Sequence, residues 1–164
     1  MLNTCNIVIV GGEGDLAFRK LYPALYSLHK ESLLADCTKI VGFGRGNYSD
    51  KDFRTSMREW TEKSEYVRNV DDGSWQSFLD RVIQFTGDAT APEDLKRLKS
   101  ELGADDIVFY LSTPPSIFAP ICEAMGEAGV VTDNTRLVVE KPLGTSLESF
   151  NVINNTLFKT FEEH

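Results

Sequence analysis

The chain has 164 residues, 26% charged and 41% hydrophobic, and a formal net charge of −8. That length suits one domain and lets roughly 68–70% of the unfolded surface be buried without disulfide or metal staples. The acidic balance argues against nucleic acid and anionic membranes as main partners, no apolar run reaches the ~18 residues of a membrane span, and no signal peptide is read, so the expected setting is the cytoplasm. Cys5, Cys37 and Cys122 are odd in number and outside any C-x-x-C pattern, and are read as reduced thiols packed as small core residues. No metal-ligand pattern is read.

In chain order, the apolar run Ile7-Val8-Ile9-Val10 predicts a first strand over Asn6–Val10. It runs into Gly11-Gly12-Glu13-Gly14-Asp15-Leu16 and a helix over Leu16–Lys30. A second strand, Lys39–Phe43, leads through Gly44-Arg45-Gly46-Asn47 to a helix over Asp50–Glu62. The polar stretch Tyr66–Trp75, with Asp71-Asp72-Gly73, reads as a loop. Then come a strand at Arg81–Phe85, a helix at Glu93–Glu101, a strand at Asp106–Ser112 and a helix at Ile117–Ala128, with Ser116 as its cap after Pro114-Pro115. A strand at Arg136–Glu140 precedes the capping box Thr145-x-x-Glu148 and a last helix, Leu147–Phe161, striped by Leu147, Phe150, Ile153, Leu157 and Phe161. Strands alternating with amphipathic helices imply α/β architecture: a Rossmann-type doubly wound parallel sheet, helices on both faces, one domain over 1–164.

A buried strand running into glycines and then a helix is a phosphate-binding arrangement, because the backbone approaches closely and the helix N-terminus favours an anion. The pattern here is G-G-x-G rather than G-x-G-x-x-G, and a glycine turn without a ligand is the bland alternative. The usual spacing to a ribose-binding acid lands near Asp36, ahead of the second strand, so Arg45 is the residue at that strand's end. Its planar fork suits the 2′-phosphate of NADP; the alternative is a solvated loop arginine. Glu13 is the discordant residue. A carboxylate ~4 Å from a phosphate charge costs about 1 kcal/mol in water and about 4 kcal/mol at an effective dielectric of 20. A helix N-terminus returns only ~0.3–1 kcal/mol. Glu13 is therefore expected to point away from the pyrophosphate, with Glu13→Ser leaving NADP affinity nearly unchanged.

Four stretches, in matching order over essentially the whole chain, resemble the glucose-6-phosphate dehydrogenase family. They are Gly11-Gly12-Glu13-Gly14-Asp15-Leu16-Ala17-Phe18-Arg19-Lys20-Leu21-Tyr22-Pro23-Ala24-Leu25, Gly42-Phe43-Gly44-Arg45, Tyr110-Leu111-Ser112-Thr113-Pro114-Pro115 and Glu140-Lys141-Pro142-Leu143-Gly144. The resemblance implies the coenzyme domain of an NADP-dependent enzyme that oxidises glucose 6-phosphate to 6-phosphogluconolactone in the oxidative pentose phosphate pathway. The Gly11–Phe18 turn would cradle the pyrophosphate and Arg45 would hold the 2′-phosphate. Tyr110 and Thr113-Pro114-Pro115 would lie near the nicotinamide, and Lys141 would reach both coenzyme and sugar phosphate. The family commonly has Ser or Thr where Glu13 stands. Bland readings stand beside these: Tyr110 as a core ring, the prolines as strand stops. Lys141 precedes a proline, which holds it extended at the fifth strand's end, and the Lys141–Pro142 bond is cis or trans.

The reaction also needs a base, usually histidine. His29, late in the first helix, reads as a surface residue, and His164 is terminal. Tyr26 and Lys30 have the Tyr-x-x-x-Lys spacing but sit on the first helix, beneath the phosphate end of the site. The family's R-I-D-H-Y-L-G-K-E motif is absent from these residues. The expectation is thus a coenzyme domain without catalytic residues, lacking the α+β substrate domain and inactive alone. Glucose 6-phosphate would be a partner only with that domain, and the full-length enzyme would be a homo-oligomer. The alternative is a non-catalytic NADP-binding or interaction module.

Overall fold

The computed structural model describes residues 5–103, 106–141 and 146–161, with backbone alone at 147, 149 and 152. Strands β1 (Asn6–Val10), β2 (Ile40–Gly44), β3 (Val82–Thr86), β4 (Ile107–Leu111) and β5 (Thr135–Val139) form one parallel sheet in the order β3-β2-β1-β4-β5. The helices are α1 (Tyr22–Lys30), α2 (Asp50–Glu62), α3 (Asp72–Leu79), α4 (Pro92–Leu102), α5 (Phe118–Ala128) and α6 (Leu147–Thr160).

Side chains alternate across a strand, so consecutive apolar residues serve two cores. Val8 and Val10 join Phe43, Phe109, Leu95, Leu98, Ile121 and Met125 on the face covered by α4, α5 and α6. Ile9 joins Ile40, Val82, Phe18, Tyr22, Tyr26, Phe53 and Met57 on the face covered by α1, α2 and α3. The doubly wound sheet is therefore as expected. No helix among the described residues is long and apolar enough to cross a membrane.

Several local readings are corrected. The stretch read as a loop over Tyr66–Trp75 ends inside α3. Asp71 caps that helix by accepting from the Ser74 N–H at 2.8 Å, and Trp75 and Phe78 bury against Tyr26 at ring distances of 5.2 and 5.5 Å. Tertiary aromatic packing overrides the local cost of Gly73. The first helix carries a π turn over Ala17–Leu21, in which the Tyr22 N–H reaches back to the Ala17 carbonyl. Pro23 follows at once; it has no N–H to give an i−4 carbonyl and its ring crowds that carbonyl, so the wider turn accommodates it.

Ser116 does not cap α5. It sits in a 3₁₀ turn, Pro115–Ile117, and the N-cap is Ile117. Of the cysteines only Cys122 is buried; Cys5 is half-buried and Cys37 exposed. His29 is half-buried rather than a free surface residue, with Nε2 2.8 Å from Ser77 Oγ and its ring against Phe78. The Thr145 cap, the Lys141–Pro142 bond and His164 involve positions outside the described residues.

Candidate functional site

The carboxyl ends of β1, β2, β3 and β4 surround one cleft of about 530 Å³. Open α/β sheets bind ligands at that end. Its floor is the Gly11–Gly14 turn, held from several directions. The Gly11 and Gly12 N–H groups both donate to the Phe43 carbonyl, at 2.9 and 3.0 Å. The Ser112 hydroxyl donates to the Val10 and Gly11 carbonyls at 2.9 and 3.2 Å. From beneath, the Tyr22 hydroxyl donates to the Gly12 carbonyl at 2.7 Å.

Side chains have no room in this turn. Gly11 has φ +85°, and a Cβ on Gly12 would lie 2.5 Å from Gly42 Cα. Gly11 and Gly12 thus contribute close approach rather than donors, since their N–H groups are spent on β2. Free donors come from the helix start beyond Gly14, where the first N–H groups have no intrahelical partner. Asp15 turns to solvent and pairs with Arg19 at 3.1 Å, and Leu16 is half-buried.

Arg45 follows the last residue of β2 directly, as the strand reading required, and lines the cleft as an exposed side chain. Asp36 lies before the strand, exposed and 3.6 Å from Arg81. Across from Arg45 stands Asp88. Hydrogen bonds from the Thr90 N–H and hydroxyl, at 2.9 and 2.7 Å, hold its carboxyl below the ordinary carboxylate range, helped by the Arg45 charge.

Glu13 bends out of the glycine turn toward β2 and β3. Its Oε2 accepts from the Asn47 N–H at 3.0 Å and from Asn47 Nδ2 at 3.3 Å, and its Oε1 accepts from Gln84 Nε2 at 3.0 Å. Sequence reasoning passed over Asn47, Gln84 and Tyr22, which lack the charge or spacing that marks a site.

Tyr110 and Lys141 stand apart from the cleft lining. The Tyr110 hydroxyl donates to Glu140 Oε1 at 2.6 Å. Burial, then that hydrogen bond and the Glu140 charge, push the phenol up to about 12. Lys141 is exposed just beyond β5. Tyr110 is therefore no buried core ring; it orients the carboxylate next to Lys141. Thr113 lines the cleft, and its Oγ1 is buried without a hydrogen-bond partner among the described residues. The Thr113 methyl rests against the Gly11 floor, and the cleft lining carries one guanidinium, Arg45, beside the Glu13 and Asp88 carboxylates, a mixed polar lining around a glycine floor.

Sheet order, glycine turn and strand-end cleft define a dinucleotide-binding domain of the Rossmann type. Residues 8–164 match the family model described as "Glucose-6-phosphate dehydrogenase, NAD binding domain". The chain is 36% identical over 170 residues to a glucose-6-phosphate 1-dehydrogenase of Mycolicibacterium smegmatis, covering 99% of this chain and 34% of that protein. The enzyme of the same name from Dickeya dadantii is 37% identical over 162 residues, covering 97% and 33%. Among solved structures, glucose-6-phosphate 1-dehydrogenase from Mycobacterium avium superposes with a TM-score of 0.87 at 29% identity, over 98% of this chain and 34% of that one. A glucose-6-phosphate dehydrogenase in complex with glucose 6-phosphate superposes with a TM-score of 0.80 at 30% identity, over 99% and 36%.

The chain belongs to the glucose-6-phosphate dehydrogenase family and corresponds to its nicotinamide-dinucleotide-binding N-terminal domain. It spans about a third of the length of the relatives it matches.

Proposed function

We propose that this chain, over residues 1–164, is the coenzyme half of an NADP-dependent glucose-6-phosphate dehydrogenase of the oxidative pentose phosphate pathway. The observation that carries the reading is the strand-end cleft with a clamped glycine turn as floor and Arg45 on its rim. The coenzyme, when bound, accepts the hydride from C1 of the sugar.

In this reading the helix start beyond Gly14, at Asp15 and Leu16, receives the pyrophosphate, while Gly11 and Gly12 let it approach. Arg45 takes the 2′-phosphate as a charge-assisted fork. The Thr113-Pro114-Pro115 turn lies toward the nicotinamide end. Lys141, with Tyr110 and Glu140 beside it, faces coenzyme and sugar phosphate. No base is assigned among the described residues, since His29 is engaged in the α1–α3 contact. Glucose 6-phosphate would be bound, and the homo-oligomer built, together with the part of the relatives that this chain does not span.

Calorimetric titration with NADP+ of the wild type and of Arg45→Ala tests the coenzyme reading. A charge-assisted hydrogen bond contributes about 1.5–3 kcal/mol, so Arg45→Ala should weaken NADP+ at least about tenfold. Unchanged NADP+ affinity would remove Arg45 from the site.

A further inference from the structure

Glu13 does more than avoid a phosphate. Its carboxylate carbon rests on the end of β2: a Cβ on Gly44 would fall 2.5 Å from Glu13 Cδ, so only glycine leaves that seat open. In dinucleotide-binding sheets the end of the second strand is where the adenosine ribose lies, and an acid there accepts from its 2′-hydroxyl. Here no acid follows β2; Arg45, Gly46 and Asn47 do. Glu13 delivers a carboxylate to that place from the neighbouring turn.

The hydrogen bonds fix its position. Gln84 Nε2 donates to Glu13 Oε1 and to the Tyr48 carbonyl, both at 3.0 Å. Two acceptors settle which end of the amide faces them, and that end holds Glu13 as an acceptor. Both contacts on Oε2 come from Asn47. A carboxylate offers about four acceptor sites. Among the described residues three are filled, which leaves one on Oε1 that a hydroxyl satisfies and a phosphate dianion does not. The Asn47 N–H, an amide suited to a 2′-phosphate, is already spent on Glu13.

We infer that Glu13 makes this cleft a two-coenzyme site, in which its carboxylate takes the adenosine ribose hydroxyl of NAD and opposes the 2′-phosphate that Arg45 attracts. The inference rests on the reading of the cleft as a nicotinamide-dinucleotide site. It also reverses the expectation for Glu13→Ser: pointing away from the pyrophosphate carries the carboxylate toward the 2′-phosphate, so removing it should matter.

The test is calorimetric titration of the 164-residue chain with NAD+ and with NADP+, in wild type, Glu13→Ser and Glu13→Gln. Circular dichroism and a thermal melt check folding, and near-isosteric Gln carries the test if the Ser variant fails to fold. Wild type should bind both coenzymes with dissociation constants within about tenfold of each other. Either substitution should tighten NADP+ and weaken NAD+, moving their ratio by at least about tenfold, or 1.4 kcal/mol. A ratio unchanged within about twofold, equal loss of both, or wild-type binding of NADP+ alone overturns the role of Glu13 while leaving the coenzyme site intact. Binding of neither coenzyme by folded wild type overturns the coenzyme reading itself, and this role with it.

Discussion

Tyr22 is the residue on which the glycine floor rests. Its ring is fully buried between Phe18 and Phe53, at centroid distances of 5.6 and 5.7 Å, and its hydroxyl reaches the Gly12 carbonyl. Burial, with the nearby Glu13 charge, raises the phenol well above its ordinary value, which favours the protonated donor that this bond needs. Tyr22→Phe keeps the ring and removes only this bond, leaving a buried carbonyl without its donor. The expected loss is about 1–3 kcal/mol of stability, read by chemical denaturation. A variant as stable as wild type would show that the carbonyl finds another donor. The same logic separates Gly12 from Asp15. Gly12, in the turn, is sealed against β2, while Asp15, at the helix start just beyond it, faces solvent.

At the scale of elements, the α1–α3 contact is where local prediction and packing part. Tyr26 meets Trp75 and Phe78, its hydroxyl lies 2.6 Å from Ser74 Oγ, and His29 meets Ser77. Burial, then the Arg81 charge, lowers the His29 pKa below its ordinary value of 6.5, against a smaller opposing hydrogen bond at Ser74. The unfolded chain then binds more protons than the folded one between those two values. Stability is complete above about pH 6.5, falls as pH drops toward the lowered folded value, and levels off below it. His29→Gln should remove that component. Melting temperatures of wild type and variant between pH 5 and 8 check it: the wild type should lose more on acidification, and parallel curves would exclude His29 as the cause.

For the whole molecule, the sheet positions the strand-end cleft proposed to take the coenzyme, while the chain spans about a third of the relatives it matches. Binding and turnover should therefore separate. This 164-residue chain by itself should bind coenzyme yet yield no NADPH from glucose 6-phosphate, followed by absorbance at the reduced nicotinamide band. The reason is chemical: removing a hydride from C1 requires a partner for the hydroxyl proton, and His29 is held on α1 far along the helix from the cleft floor. Sustained NADPH formation by pure protein would show that a base had been overlooked.

Periodicity alone determined most of the fold. Five apolar runs and the helices between them required a parallel doubly wound sheet, and the glycines after β1 with Arg45 after β2 pointed to the strand-end cleft that they line, because backbone approach and strand-end position are written locally. Helix α3 was not legible: an eight-residue helix containing Gly73 is held by the Asp71 cap and by the aromatic surface that Tyr26 offers Trp75 and Phe78. Nor were the partners to which Glu13 turns. A carboxylate in a phosphate turn has a cost that sequence can state. Only the tertiary structure, by bringing Asn47 from the loop after β2 and Gln84 from β3 to within hydrogen-bond reach, decided where that carboxylate goes.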